Sequence, residues 1–580
     1  MMVHNDEIAA VFEEIADLLE ISGANPFRVR AYRNAARTVA GRPEPLAERA
    51  LAGEDLTRLP GIGKELAAKI REIAETGTCR ALERLRRELP PGLPQLLRLP
   101  GLGPKRVAAI YERLGLTTLE AVRAAALDGR LAALPGFGER LCERLVEAID
   151  RRLAEGQRVL RAEAAPHAEA FRRYLAELPG VGRAEVAGSF RRGRETVGDL
   201  DLLAEALAGP EAAGEVVAAA TRFDEVAHVE AAGETRATCH LRNGLQVDVR
   251  VVEPAAFGAA LCYFTGSKAH NVALRRLARG RGLKVNEYGV FRGARRLAGA
   301  TEEEVYAALG LPWIPPELRE DRGELEAAAS GSLPRLVELS ALRGDLHHHT
   351  RASDGRASLE TVAEAARAAG LEYVAITDHS RSLTVAHGLD ERRLAAQCER
   401  IDRLNERLSG VTLLKGIEVD ILEDGSLDLP DAALARLDLV VAAVHSRFGL
   451  DRERQTERIL RAMDRPCFTI LAHPTGRLLG ERPPYEVDLE RVLAHAAERG
   501  CFVELNAQPL RLDLDDTAAR LARELGVRVA ISSDSHTTTS RAALAPGVVQ
   551  ARRAWLTKGD CLNTLPLKRL RPLLARTMGR

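Results

Sequence analysis

The chain has 580 residues, with 83 basic and 83 acidic side chains and a formal net charge of zero; that length requires three or four cores, and the overall charge favours no particular partner. No run of eighteen apolar residues occurs, the opening MMVHNDEIAAVFEE is acidic rather than signal-like, and eight scattered cysteines form no C-x-x-C pair. These features exclude a membrane span, a disulfide scaffold and a zinc ribbon, and lead us to expect a cytoplasmic protein with reduced thiols. Charge is unevenly placed: residues 21–110 hold 17 Lys+Arg against 9 Asp+Glu, whereas the first twenty hold six acids and no base.

In chain order, HNDEIAAVFEEIADLLEISG carries apolar residues at helical spacing up to Gly23, and NPFRVRAYRNAARTVA follows as a basic helix with Arg28, Arg30, Arg33 and Arg37. Then comes a repeat. LPGIGKELAAKI (59–70), LPGLGPKRVAAI (99–110) and LPGFGERLCERL (134–145) share L-P-G-x-G followed by a helix, the helix-hairpin-helix pattern. Its paired glycines, here Gly61 with Gly63 and Gly101 with Gly103, let a tight turn bring backbone N–H groups to a DNA phosphate. Lys64, Lys69 and Lys105 add charge, whereas the third copy has no lysine and is expected to be structural. Such contacts hold the duplex without reading its sequence. A fourth match, LPGVG at 178–182, precedes the strand-like RAEVAGS and is read as a turn.

Next, GSFRRGRETVGDLDLL (188–203) sets a glycine bend, Ser189, Arg191 and Arg192 before a strand on which Asp199 and Asp201 share one face. Two carboxylates that close require a cation, and hard oxygen ligands suit Mg²⁺ or Mn²⁺, while the bend and arginines suit phosphate. LQVDVRVVE offers a third carboxylate, Asp248, before CYFTGSKAHN and KVNEY. After a proline cluster (LPWIPPELRE), the segment GELEAAASGSLPRLVELS reads as a linker and then a helix.

Beyond residue 340 the chain changes character, and nine of its fourteen histidines lie there. Seven short apolar strands, around 344–348, 373–377, 412–419, 439–444, 468–472, 502–506 and 527–533, alternate with amphipathic helices and predict a parallel barrel. Nearly every strand ends in a potential ligand: GDLHHHT, AITDH, GIEVDI, VAAVHS, ILAHP and AISSDSH. Barrel chemistry collects at the C-terminal ends of strands, so these groups are expected to converge, with mixed imidazole and carboxylate ligands suiting Mn²⁺, Zn²⁺ or Fe²⁺.

GSFRRG, GDLDLL, VDVR and YFTGS, in that order and spacing, resemble the DNA polymerases of family X. The resemblance implies a polymerase-beta-like nucleotidyltransferase palm in which Asp199, Asp201 and Asp248 hold two metal ions, Asp248 helping to deprotonate the primer 3′-hydroxyl. It implies that Ser189, Arg192 and Gly198 hold the triphosphate, that Tyr263, Phe264 and Gly266 pack against the sugar, and that Asn271 and Arg275 face the base and template. Two departures stand out: Gln246 replaces an arginine of the eukaryotic members, and Lys268 follows YFTGS, where it is placed to grip the triphosphate. Lys69 occupies the place of the lysine that attacks abasic sugars in some members, and a phosphate-binding role is preferred here. The C-terminal motifs resemble the PHP phosphoesterase domain, a distorted seven-stranded barrel with three metals. Carried over, its ligands are His347, His349 and Asp534; His445 and His473; Asp354, His379 and His536; and a bridging Glu418. His348 is expected to point away, while His387 and His495 stay unassigned.

The expected fold class is therefore multidomain α/β: helix-hairpin-helix domains (1–85 and 86–155), a palm (156–255), a nucleotide-closing subdomain (256–316), a linker (317–339) and a PHP barrel (340–580). The expected function is a gap-filling repair polymerase using dNTPs on gapped or nicked duplex DNA, fused to a metal-dependent 3′→5′ exonuclease, and monomeric. Glu418 and His379 are its expected catalytic groups in the barrel. The rival readings are a phosphoesterase whose polymerase half only binds DNA, and a non-catalytic module that binds DNA ends.

Overall fold

A computed structural model describes every residue except 1–4, 41–45, 77, 91, 98, 100, 156–157, 208–209 and 539. His4 of the first expected helix, Pro100 of the second L-P-G-x-G copy and residues 156–157 at the expected start of the palm lie outside the described residues. The chain forms two compact units, Met1–Gln157 and Arg158–Arg580.

The first unit is helical. Asn5–Ile21 and Pro26–Ala40 pack with Lys64–Thr76 and Arg80–Glu88 around Phe12, Ile15, Tyr32 and Ile70, and a second core gathers Val107, Val122, Leu145 and Ile149. The three hairpin turns share one geometry. Gly61, Gly101 and Gly136 have φ of +78°, +86° and +85°, and the N–H of the next residue donates to the leucine opening each motif at 3.0–3.1 Å. Leu59 with Ile62, Leu99 with Leu102, and Leu134 with Phe137 are buried, so each turn is anchored from beneath while its glycines face outward. In the second unit, Gly180 (φ +82°) and the bond from Val181 N–H to Leu178 O repeat that turn, but the chain leaves it as the strand Val181–Val186.

The second unit opens with a five-stranded sheet in the order Val181–Val186, Asp199–Ala206, Gln246–Val252, Arg236–Leu241, Val226–Ala232. Only the pair Asp199–Ala206 and Gln246–Val252 is parallel. Alternation along these strands buries Leu200, Leu202, Val247 and Val249 against Phe171 and Leu175 of the helix Arg161–Ala176, which leaves the carboxylates of the same strands on the other face. Helices Phe257–Thr265 and Lys268–Gly280, a small three-stranded sheet and helix Glu302–Ala308 follow.

The barrel strands are all parallel. Gly344–His348, Tyr373–Ile376 and Thr412–Lys415 form one sheet; Glu418–Asp420, Val441–Ala443, Ile470–Leu471, Phe502–Asn506 and Val529–Ser532 form another. Bridges His348↔Ser535 and His379↔Glu418 join the two sheets. The strand expected over 412–419 is thus broken in two. At Gly416 a Cβ would approach the Ile376 carbonyl to 2.9 Å, and beyond it the chain changes partner. The helix expected near 333–340 does not form: residues 324–329 are helical, Val337 N–H donates to Leu556 O, and Leu339–Ala341 is a 3₁₀ turn. Pro334 and the pairing with 556–557 explain this, because the backbone bonds are taken by another segment. The basic tail is a helix, Leu567–Thr577, that buries Leu570 and Leu574 in the core inside the barrel.

Candidate active sites

Asp199 and Asp201 lie on one face of their strand, and the parallel register sets Asp248 beside Asp201. Burial and the Asp199 and Asp248 carboxylates push Asp201 up to about 7, and burial with Asp248 also raises Asp199. Carboxylates that resist ionising together fit a divalent cation, whose charge opposes those shifts. Asp248 accepts from Thr238 Oγ1 at 2.5 Å and from Gln246 Nε2 at 2.8 Å, so the residue replacing the arginine orients a carboxylate. A Cβ at Gly188 (φ +61°) would overlap Oδ2 of Asp201, which is why the bend requires glycine.

Ser189 sits in the single helical turn Gly188–Arg191. Of the two arginines read as phosphate donors, Arg191 is committed elsewhere: its guanidinium forms bonds of 2.7 and 2.8 Å to the buried Glu302 and reaches Thr265 Oγ1. Arg319, fully buried, shares that carboxylate, and together they hold Glu302 far below the usual range although burial opposes it. Arg192 remains beside the aspartates; it donates to Thr265 O and, at 3.1 Å, to Glu320. Gly198 lies next to Arg158, and Gly266 packs against Arg192. Tyr263 and Phe264 cross edge-to-face at 5.2 Å, with Arg250 over the Phe264 ring. Asn271 Nδ2 donates to Tyr263 O at 2.7 Å and Arg275 Nε to Asn271 O, while Lys268 is exposed at the start of its helix.

In the barrel, Glu418 is the hub. Its carboxylate lies 2.8 Å from His379, 2.9 Å from His473, 3.2 Å from His445 and 3.5 Å from both His347 and His349. Asp534 lies 3.2 Å from His349 and 3.7 Å from His347; Asp354 lies 3.4 Å from His536 and 3.5 Å from His379. Among the described residues, three groups are placed to hold a cation: His349, Asp354, His379 and His536; His347, His349 and Asp534; and His379, Glu418 and His445. His347 Nε2, both His349 nitrogens, His379 Nδ1, His473 Nδ1 and Glu418 Oε2 are buried without a hydrogen-bond partner. The orphaned atoms of His347, His349, His379 and Glu418 belong to residues of those three groups and fit metal ions, which would satisfy them. Against the pull of burial, Glu418 and the other carboxylates raise His379 to about 10 and His445 to about 9, whereas burial and His536 lower His349 to about 4. Glu418 and Asp534 are held well below the carboxylate range by their imidazole neighbours, again against burial.

Further polar groups, beyond the ligands expected from the sequence, hold those ligands from behind. Asp420 accepts from His445 Nδ1 at 2.6 Å, Glu504 binds His347 Nδ1 at 2.8 Å and the His473 N–H at 2.8 Å, and Asn506 donates to Asp534 at 3.0 Å. The signal was present: Asp420 lies two residues beyond Glu418, and Glu504 and Asn506 alternate on one strand. His473 (φ +26°) and Asp534 (φ +48°) hold left-handed backbone, strain of the kind found where function demands a side-chain direction. His348 is buried outside the three groups, with burial pushing it to about 3; His495 pairs with Asp464 on a helix, and His387 caps a 3₁₀ turn.

In the first unit Lys64 and Lys105 are exposed at hairpin turns. Burial acts to lower the Lys69 amine, but Glu65 at 2.7 Å and Tyr32 outweigh it and raise the pKa. A protonated amine suits a phosphate and not Schiff-base attack.

The fold and its two centres define a polymerase-beta-like nucleotidyltransferase joined to a PHP phosphoesterase barrel. Family models match along the chain: a helix-hairpin-helix domain over residues 3–79, a SAM-like helix-hairpin-helix tandem over 93–151, the DNA polymerase beta thumb over 260–320 and the PHP domain over 345–508. The chain is 36% identical to the DNA polymerase/3′-5′ exonuclease PolX of Bacillus subtilis (strain 168) across 578 residues, 99% of this chain and all of that protein. It is 34% identical over 38% of its length to a "Probable phosphatase" of Thermoanaerobacter sp. (strain X514), covering 89% of that protein. It is also 27% identical over 55% of its length to the DNA polymerase lambda of Rattus norvegicus, covering 56% of that protein. The chain belongs to the bacterial family X DNA polymerases that carry a C-terminal PHP domain.

Proposed function

We propose that the protein is a template-directed repair polymerase that fills short gaps and a 3′→5′ exonuclease that trims the same ends, with cleavage at abasic sites and removal of blocked 3′ ends as further reactions of the barrel. The observation that carries this reading is the coexistence of two separate ligand sets, the Asp199–Asp201–Asp248 face and the Glu418-centred histidine cluster. In the palm, Asp199, Asp201 and Asp248 would hold two Mg²⁺ or Mn²⁺ ions, and in the barrel the nine ligands from His347 to His536 would hold three ions of Mn²⁺, Zn²⁺ or Fe²⁺. Bound there, the cations would offset the negative charge on the phosphoryl oxygens and, in the barrel, supply an acidified water.

The chain's residues do the rest. Asp248, oriented by Thr238 and Gln246, accepts the proton of the primer 3′-hydroxyl. Ser189, Arg192, Gly198 and Lys268 bind the triphosphate, Tyr263, Phe264 and Gly266 pack against the sugar, and Asn271 and Arg275 meet base and template. In the barrel Glu418 bridges the ligand sets and His379 lies beside the reacting phosphodiester. The helix-hairpin-helix turns, through Gly61, Gly63, Lys64, Lys69, Gly101, Gly103 and Lys105, grip gapped or nicked duplex by its phosphates. We read the proposed domains with the boundaries given above, and the protein as a cytoplasmic monomer, associated with the nucleoid when bound to DNA; no helix among the described residues is long and apolar enough to cross a membrane.

One gel tests this. A 5′-labelled primer on a one-nucleotide gap is incubated with protein and Mn²⁺, with and without the complementary dNTP. Extension by one with the nucleotide and 3′ shortening without it are expected; shortening in both lanes would leave a nuclease with a DNA-binding relic.

A further inference from the structure

The bend that carries Arg192 is gripped by the PHP half. The helix Arg541–Arg553 lies against it: a Cβ on Gly193 (φ +70°) would overlap Cγ1 of Val549, and Gln550 Nε2 donates to Glu195 at 2.6 Å. Arg477, from the loop after the barrel strand Ile470–Leu471, holds the same Glu195 carboxylate at 2.5 Å. Arg552 pairs with Glu317 at 2.7 Å. At the end of the helix Arg553, 1% exposed as a side chain, donates through Nη1 to the Arg192 carbonyl at 2.7 Å and to Glu320 at 2.9 Å, and through Nη2 to Asp516 at 2.6 Å. Glu320 is therefore shared by two arginines, Arg192 of the palm and Arg553 of the PHP half.

We infer that Arg553 is a positioning residue for nucleotide binding in the palm, acting as the counter-ion that lets Glu320 release Arg192 to the triphosphate. This rests on the reading of Arg192 as a triphosphate ligand. With only Arg192 beside it, Glu320, 14% exposed as a side chain, would hold that guanidinium tightly, because its departure strands an unpaired carboxylate largely away from water. Arg553 removes that penalty: when the phosphates draw Arg192 away, Glu320 keeps a partner, and Arg553 itself stays balanced by Asp516. Its bond to the Arg192 carbonyl holds the backbone, so only the side chain has to swing. The incoming nucleotide thus exchanges one anion for another at Arg192, and a residue 361 positions downstream sets the exchange.

The test is primer extension on a one-nucleotide gap, with KM for the complementary dNTP and kcat measured separately, and Mn²⁺-dependent 3′ shortening and thermal melting followed in parallel. Arg553→Met is expected to raise KM roughly fivefold or more with kcat within about twofold, leaving 3′ shortening intact. Glu320→Gln, an isosteric change that removes the competing charge, is expected to lower KM below wild type, and the double variant to return KM to within about twofold of Glu320→Gln alone. A KM unchanged in Arg553→Met, a KM raised by Glu320→Gln, or a double variant no better than Arg553→Met would each overturn the inference. Should Arg553→Met melt early and lose both activities together, Glu320→Gln alone decides. Arg192→Ala is the separate control: an unchanged KM there removes the reading of Arg192, and the inference with it.

Discussion

The palm sets three carboxylates on neighbouring strands and the barrel gathers its carboxylates among imidazoles, and their electrostatics run in opposite directions. In the palm three aspartates face one another, and burial with mutual repulsion raises Asp199 and Asp201. In the barrel Glu418, Asp354 and Asp534 each face two or more imidazoles, so Glu418 and Asp534 fall and His379 and His445 rise. The first site is frustrated without a cation; the second is already balanced by protons that a cation must displace. The construction differs too. Asp199 and Asp201 alternate on one strand next to Asp248, whereas the barrel ligands span residues 347–536 and meet only through the closure of the sheet.

The comparison is broken most directly by reciprocal variants. Glu418→Gln is expected to raise the barrier to 3′ shortening by about 4 kcal/mol, roughly a thousandfold in rate, while leaving extension near wild type. Asp201→Asn is expected to do the reverse, and a labelled primer reports both. Loss of both reactions in either variant would mean a single shared centre. Next in size, Asp420→Asn or Glu504→Gln, which touch ligands from outside, should weaken barrel metal affinity by about 10–100-fold, read by metal content after dialysis against a graded chelator.

The opposite shifts predict different responses to acid. Since Asp201 titrates near 7 without metal, Ca²⁺ affinity at the palm should rise about tenfold from pH 6 to pH 8, measured calorimetrically in a Glu418→Gln background. The sign extends to stability: the raised Asp201 stabilises the metal-free fold below its unfolded value, and that contribution is lost as pH rises through about 7. At the barrel, with His379 near 10 and His445 near 9, metal binding at pH 7.5 should release about two protons, read from heats in buffers of different ionisation enthalpy. The smallest effect belongs to the DNA grip. Lys105→Ala should weaken duplex binding a few-fold and reduce its salt slope by about one, slowing extension and shortening alike when DNA is limiting.

Much of this was legible because it is local. The period-two spacing of Asp199 and Asp201 puts them on one face, and the strand-end histidines of a barrel sequence have one place to converge. The fourth L-P-G-V-G has the turn of the other three, and only the strand alternation after Val181 separates it from them. What escaped is non-local. Arg191 looks as free as Arg192 until Glu302, 111 residues on, takes its guanidinium. Glu320 and Arg553 sit in segments whose spacing carries no signal, and the break at Gly416 depends on a neighbouring strand's carbonyl. Charge alone does not reveal a partner; packing assigns it.

The contact between Arg553 and Arg192 has a consequence for how the protein is made. The palm sequence leaves the ribosome early, but the guanidinium that holds the bend at Arg192 follows 361 residues later, roughly 20–70 s at ordinary elongation rates. A nascent chain stalled before the last helices would carry every palm aspartate on an unfinished bend. On the inference above, the bend at Arg192 gains its last partner only when the barrel sequence is nearly complete.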